Sequence, residues 1–232
     1  MSIINRDKSI VIACDVNLEK FEEIVRETCD IDAIGAYKIG FGLGLAHGLP
    51  TVVEVCRRYS QKPIIYDHQK AGTDIPDTGK LFATTCKNAG IDAIILLCQS
   101  GPETEKAWIK ACQQEKLGVI VGGLMTHAKY LRSEGGFIAD EAVSEIYSIA
   151  ADNAVNEFVV PGNKPDKIKE IKTLLESKGV DPVFHAPGFI SQGGNITEAA
   201  TVAGSKWHAI IGRAIYESVD VRKAAMELTK RL

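Results

Sequence analysis

No stretch of the chain reaches the ~18 consecutive apolar residues that a membrane-spanning helix needs. Its first residues, MSIINRDKSI, also lack the apolar core of a secretory signal. Charge is nearly balanced, with a formal net of −3. Bulk electrostatics therefore gives no reason to expect a nucleic acid or an anionic membrane as partner, and an anionic small molecule would need a local cluster of donors. No two of the six cysteines form a C-x-x-C pair, and Cys14 and Cys98 sit inside apolar runs. This argues against a disulfide framework and points to buried free thiols in a reducing compartment, the cytoplasm. The histidines (His47, His68, His127, His185 and His208) show neither H-x-x-x-H nor H-E-x-x-H spacing, so no metal site is expected. A P-loop and a G-x-G-x-x-G fingerprint are missing too. So are linkers and low-complexity tracts, and residues 1–232 read as a single domain.

Short apolar runs alternating with longer amphipathic stretches fill the chain. The strand candidates are Ile10–Val16, Ala36–Phe41, Pro63–Asp67, Ala93–Cys98, Gly118–Gly123, Glu157–Pro161, Pro182–Ala186 and Ala209–Gly212. They are rich in Val and Ile and flanked by Gly, Pro or Asp, as buried parallel strands should be. Between them, Leu18–Cys29 and Pro165–Lys178 carry apolar residues at helical spacing, and Asp220–Leu232 predicts a closing helix with Asp220 as N-cap. Eight strand–helix units in this length are the pattern of an α/β chain folded as a single (β/α)8 TIM barrel. A doubly wound sheet stays open, because periodicity does not reveal strand order.

In a barrel the functional groups sit at the C-terminal ends of the strands. There the sequence places Asp15 (IACDV), Lys38 (AYKIG), Asp67, Lys70 and Asp74 (IIYDHQKAGTDIPDTG), Thr126 and His127, Pro187 and Gln192, and Gly212 with Arg213 (IIGRAIY). Each has a bland alternative. Asp15 could cap the next helix, the Asp67–Asp74 stretch could be a solvated turn, and His68 and His127 could be ordinary loop residues. Lys38 is harder to dismiss, because an ammonium inside an apolar strand needs carboxylate partners or a depressed pKa. Gly193, Gly194 and Gly212 would let backbone amides approach a phosphate, with Arg213 as a fork of donors.

Taken in order, D-V, Y-K-I-G, the Asp…Lys…Asp-Ile-Pro-x-Thr cluster, P-G-x-x-x-Q-G-G and I-I-G-R-A-I-Y resemble orotidine 5'-phosphate decarboxylase over nearly the whole chain. The resemblance implies conversion of orotidine 5'-phosphate to UMP in pyrimidine biosynthesis, without metal or cofactor. It makes Lys38, Asp67, Lys70 and Asp74 an alternating charge array. Lys70 would deliver a proton to C6 of the pyrimidine, and Asp67 would lie near the substrate carboxylate. Asp15 and Lys38 become ribose-hydroxyl partners. Thr126, where the family usually has Ser, would meet the pyrimidine. Gln192, Gly193, Gly212 and Arg213 would hold the phosphate, and Pro187 would begin a closing loop. The family is dimeric, so Asp74 and Thr78 would reach the neighbouring subunit's site.

One departure falls on the chemistry. The family's D-x-K-x-x-D appears as D-H-Q-K-A-G-T-D, one residue longer on each side of Lys70. In a strand, one added residue turns the next side chain to the opposite face, unless a bulge or loose turn intervenes. Two rivals follow. One is a Mg2+-dependent sugar-phosphate lyase of the hexulose-phosphate synthase type, whose strand two carries an acidic residue where Lys38 stands. The other is a non-catalytic nucleotide-binding barrel.

Overall fold

The β-rich runs pair into a closed barrel, because each is apolar on both faces and has to be covered on both. The computed structural model describes residues 2–68, 74–188 and 201–232. Its strands are β1 (Lys8–Cys14), β2 (Ile34–Ile39), β3 (Ile64–Asp67), β4 (Ala93–Leu97), β5 (Gly118–Gly122), β6 (Glu157–Val159), β7 (Val183–Pro187) and β8 (Trp207–Ile211). All neighbours pair in parallel and in sequence order, and β8 returns to β1. This is the (β/α)8 barrel, and the doubly wound sheet is set aside.

Alternation along the strands divides the core in two. Ile10, Ile12 and Cys14 pack outward with Phe21, Ile24 and Val25 of helix α1 (Leu18–Thr28). Val11, Ala13, Ala36, Ile65, Ala93, Ile95, Ile120, Val159 and Ile210 form a separate inner cluster. Among these inner residues the small Ala13 lines the barrel mouth and leaves space there for longer polar side chains.

The other helices are α2 (Phe41–His47), α3 (Leu49–Arg57), α4 (Gly79–Asn88), α5 (Pro102–Gln114), α6 (Asp140–Asp152), α7 (Pro165–Ser177), α8 (Arg213–Tyr216) and α9 (Val221–Thr229). The closing helix is shorter than expected, but Asp220 caps it, its carboxylate accepting from the Lys223 amide at 2.8 Å. The helix after β1 is capped by Asn17, whose Oδ1 accepts from the Lys20 amide at 2.9 Å. That leaves Asp15 for other work.

At the opposite end, the inner face carries a polar layer that the sequence reading did not foresee. Glu157 pairs with His185 at 2.7 Å, and Ser9 with His208 at 2.8 Å, all fully buried. Burial, with His185 beside it, pushes the His208 pKa down to about 2, so its ring stays neutral. Glu157 also accepts from the Ile3 amide at 2.7 Å, which ties the start of the chain across the barrel floor.

Candidate active site

The β-ladder register brings the strand-end polar residues to one level. Lys38, next to last in β2, lies across from Ala13 of β1 and Ile65 of β3. Asp67 is the final residue of β3. The Lys38 ammonium donates to Asp67 Oδ2 at 2.6 Å and lies 4.0 Å from Asp15 Oδ2. Only 4% of the Lys38 side chain and 1% of the Asp67 side chain are exposed. Burial alone would strip the charge from Lys38, but Asp67 and Asp15 outweigh it and hold the pKa above its ordinary value. The second Asp67 oxygen, Oδ1, is buried and has no hydrogen-bond partner among the described residues. Such an atom is costly unless a donor reaches it.

These groups face a cavity of about 250 Å3. Asp15, Lys38, Asp67, Thr126, Pro187, Gly212 and Arg213 all line it, so seven of the residues singled out from the sequence meet in one place. A larger, more open groove of about 770 Å3 lies at the other end of the barrel, away from these groups. The mouth cavity is the candidate site because buried, charge-paired side chains converge on it. Gly212 follows β8 and opens α8. A Cβ there would sit 3.2 Å from the Ala13 carbonyl and 3.1 Å from the Tyr216 ring, so a side chain would crowd this wall of the cavity. Arg213, the next residue, is exposed and makes no ion pair or side-chain hydrogen bond among the described residues.

Asp74 and Thr78 do not line the cavity of their own chain. Asp74 is exposed, and its Oδ1 accepts from the Ile75 amide at 2.8 Å. The Thr78 hydroxyl donates to the Ile75 carbonyl at 2.8 Å, which leaves it only as an acceptor for anything else. Lys70, Gln192 and Gly193 lie outside the described residues, as does Gly194. Among the described residues no cluster of three or more His, Cys, Asp and Glu side chains could hold a metal ion.

Residues 8–228 match the family described as "Orotidine 5'-phosphate decarboxylase / HUMPS family". The chain belongs to that family. It is similar to the orotidine 5'-phosphate decarboxylase of Methanosarcina mazei, with 30% identity over 98% of this chain and 96% of the relative. The enzyme of the same name from Methanococcus maripaludis is 31% identical, over 93% of each chain. Among solved structures, the Methanocaldococcus jannaschii orotidine 5'-monophosphate decarboxylase complexed with inhibitor BMP superposes with a TM-score of 0.81. It is 25% identical and covers 97% of this chain and 98% of that one. The Pyrococcus horikoshii enzyme gives a TM-score of 0.77 at 26% identity, over 96% and 98%.

Within this family barrel, three residues lining or bracing the cavity went unnoticed in the sequence. Tyr216 lines it one turn after Arg213. The half-buried Asn163 donates its side-chain N–H to the Thr126 carbonyl at 3.1 Å and so braces the segment after β5. Gly188 follows Pro187 on the cavity wall. The usable signal for Asn163 was its place in V-P-G-N, just beyond β6, one of two strand ends, with that of β4, for which no polar residue was singled out.

An aromatic cluster packs around His68, the residue after β3. His68 stacks against Trp108 with ring centroids 5.5 Å apart and lies 4.4 Å from Phe82, and Phe82 stacks on Trp108 at 4.6 Å. Burial lowers the His68 pKa, against a smaller opposing pull from Asp67. The neutral ring is thus a packing element, and it does not line the cavity. β3 ends at Asp67, and apart from His68 the residues that lengthen the Asp–Lys–Asp spacing lie outside the described residues. Trp108 also donates its indole N–H to the Ile75 carbonyl at 3.0 Å, and a Cβ on Gly79 would meet its ring at 2.8 Å. Trp108→Phe keeps most of the stacking but removes one donor from that carbonyl, which Thr78 still serves. It is expected to cost about 1 kcal/mol in urea unfolding, and Gly79→Val considerably more.

Proposed function

We propose that this chain decarboxylates orotidine 5'-phosphate to UMP without a metal or organic cofactor. The observation that carries the reading is the buried Lys38–Asp67 pair, with Asp15 beside it and Asp67 Oδ1 at the cavity wall without a partner among the described residues. In the step itself, the bond from C6 to the carboxylate breaks and its electron pair remains on C6. Lys70 then delivers the proton that forms the C6–H bond. An ammonium beside C6 also offsets the negative charge that develops there. Asp67, held by Lys38 on one oxygen, offers the other to the Lys70 ammonium, which keeps that lysine charged and fixed. The Lys38 ammonium and Asp15 lie where ribose hydroxyls can meet both a donor and an acceptor. Thr126 serves the pyrimidine, and Arg213 with Gly212, Gln192 and Gly193 takes the phosphate. Pro187 begins the loop that closes over the ligand.

The donor set disfavours the Mg2+-dependent sugar-phosphate lyase. Asp15 and Asp67 are the carboxylates that would hold the cation, and the Lys38 ammonium already occupies the space between them.

On this reading the working unit is a homodimer in which Asp74 and Thr78 serve the neighbouring subunit's site. Their position outside their own cavity supports it, as does Ile75 between them, 58% exposed despite its apolar side chain. Six free thiols, five of them buried, support a cytoplasmic location. Among the described residues no helix is long and apolar enough to cross a membrane. The test is to follow the ultraviolet absorbance of orotidine 5'-phosphate with purified protein in EDTA. Loss of the orotate chromophore with formation of UMP is the expected result. An unchanged spectrum while nucleotide still binds would overturn the reading in favour of a binding protein.

A further inference from the structure

The side chain least accounted for by the active site is Glu105, one turn into α5. It is 1% exposed, and neither carboxylate oxygen has a hydrogen-bond partner among the described residues. A packing role would be filled better by an apolar residue, because an unpartnered buried carboxylate costs free energy in either protonation state. Glu105 lines a pocket of about 250 Å3 between α5 and α6, roofed by residues 137–139. That pocket shares no residue with the active cavity.

The polar groups around it are of one kind. Glu145 of α6 supplies a second carboxylate. Gln99 directs its amide N–H to the Tyr130 hydroxyl at 2.9 Å, which turns its carbonyl to other uses. No Lys, Arg or His lines the pocket, and the nearby Lys106 is taken by Glu103 at 2.8 Å. Acceptors without donors call for an occupant that brings donors. A metal ion is disfavoured, since no set of three ligating side chains is assembled among the described residues. The remaining wall is apolar, with Ile138, Ile146 and Ile149. Phe137 at the rim is 93% exposed and can lay its ring over a cation. The volume lies below the range typical of drug-sized ligands, so the occupant is small.

We propose that the pocket between α5 and α6 binds a small organic ammonium ion, with the Glu105 carboxylate as its charge partner and the isoleucine wall holding its alkyl part. Binding is accompanied by proton release. Burial pushes the Glu105 pKa up to about 8, against a smaller opposing effect of Lys106, so at neutral pH the empty site is mostly protonated. The incoming cation displaces that proton to the buffer. Among the described residues, the other titratable groups near Glu105 are Lys106 on its own helix, Glu145 on α6 and the Cys98 thiol just after β4. Affinity therefore rises with pH up to about 8.

The probe is n-butylammonium chloride, titrated calorimetrically into the full-length protein at matched ionic strength, with n-butanol as the uncharged control. Saturable binding by the ammonium and not the alcohol is expected, with an apparent heat that varies with the ionisation enthalpy of the buffer. Glu105→Gln should weaken binding at least tenfold and leave orotidine 5'-phosphate turnover unchanged, so failure here is distinguishable from failure of the proposed activity. Should that variant not fold, a carbon-13 titration of Glu105 in the unaltered protein serves instead, its pKa falling when the ammonium is added. Equal binding in both proteins, or an unmoved Glu105 titration, would overturn the proposal. So would a Glu105→Gln variant that dissociates into monomers, since a lysine or arginine of a second copy would then be the occupant.

Discussion

Lys38→Met is expected to lower stability by about 3–5 kcal/mol and to abolish turnover, because it takes the partner from Asp67 Oδ2 in a buried site. The pair is 2.6 Å apart and almost wholly shielded from water, so solvent does little to replace the lost partner. Replacing both members, as in Lys38→Met with Asp67→Leu, removes the stranded charge. Stability should then return close to that of the unaltered protein or exceed it, while turnover stays lost. Urea unfolding at pH 7.5 and the orotidine 5'-phosphate absorbance assay read the two effects separately. A single variant as stable as the parent would mean that the buried Asp67 does not depend on Lys38 as its partner. The pH dependence has a definite sign. Because the Lys38 pKa is raised in the folded state, its contribution is complete below the unfolded value of about 10.4. It is lost only as pH rises through the higher folded value. Lys38→Met should therefore lose its difference from the parent at strongly alkaline pH and keep it at pH 7.5.

That the pair could be suspected from A-Y-K-I-G follows from burial. A parallel strand covered on both faces has no solvated side on which to place an ammonium, so Lys38 needed a partner before any partner was known. The barrel was legible for the same reason, since eight β-rich runs with no polar face require cover on both sides. Strand ends were less legible. The ladder of β1 stops at Cys14, β2 begins at Ile34 and β8 stops at Ile211, each up to two residues from expectation. Apolar pattern continues past the last paired residue wherever the following chain is also buried. Distance in sequence hid the rest. His185 and Glu157 are 28 residues apart and His208 and Ser9 are 199 apart, so no local spacing announces the polar floor of the barrel. Glu105 was invisible for another reason. An acidic residue in the first turn of a helix is what the helix dipole favours on a solvated surface, and only tertiary structure reveals that this one turns inward.

The second large effect falls on Lys70, and its argument runs through an atom that can be seen. Asp67 Oδ1 is buried without a donor among the described residues. The chain that leaves β3 at Asp67 carries Lys70 three residues later. Lys70→Ala is expected to lower kcat by about 10^4-fold or more, from the loss of a proton donor and of charge stabilisation at C6 together. UMP should bind within a few-fold of normal. Lys70→Arg separates the two losses, because a guanidinium keeps the positive charge but does not give up its proton near neutral pH. If proton delivery is the essential role, the arginine variant stays close to the alanine variant, and if charge alone suffices it recovers a large part of the rate. Arg213→Ala supplies the contrast. It removes a fork of charge-assisted hydrogen bonds to the phosphate, worth about 1.5–3 kcal/mol. It should raise KM about tenfold or more, and it should also lower kcat, since binding energy far from C6 drives closure over the reacting carbon. A Lys70→Ala protein that raised KM and kept kcat would reverse these assignments, placing Lys70 in binding and leaving the proton at C6 to another donor.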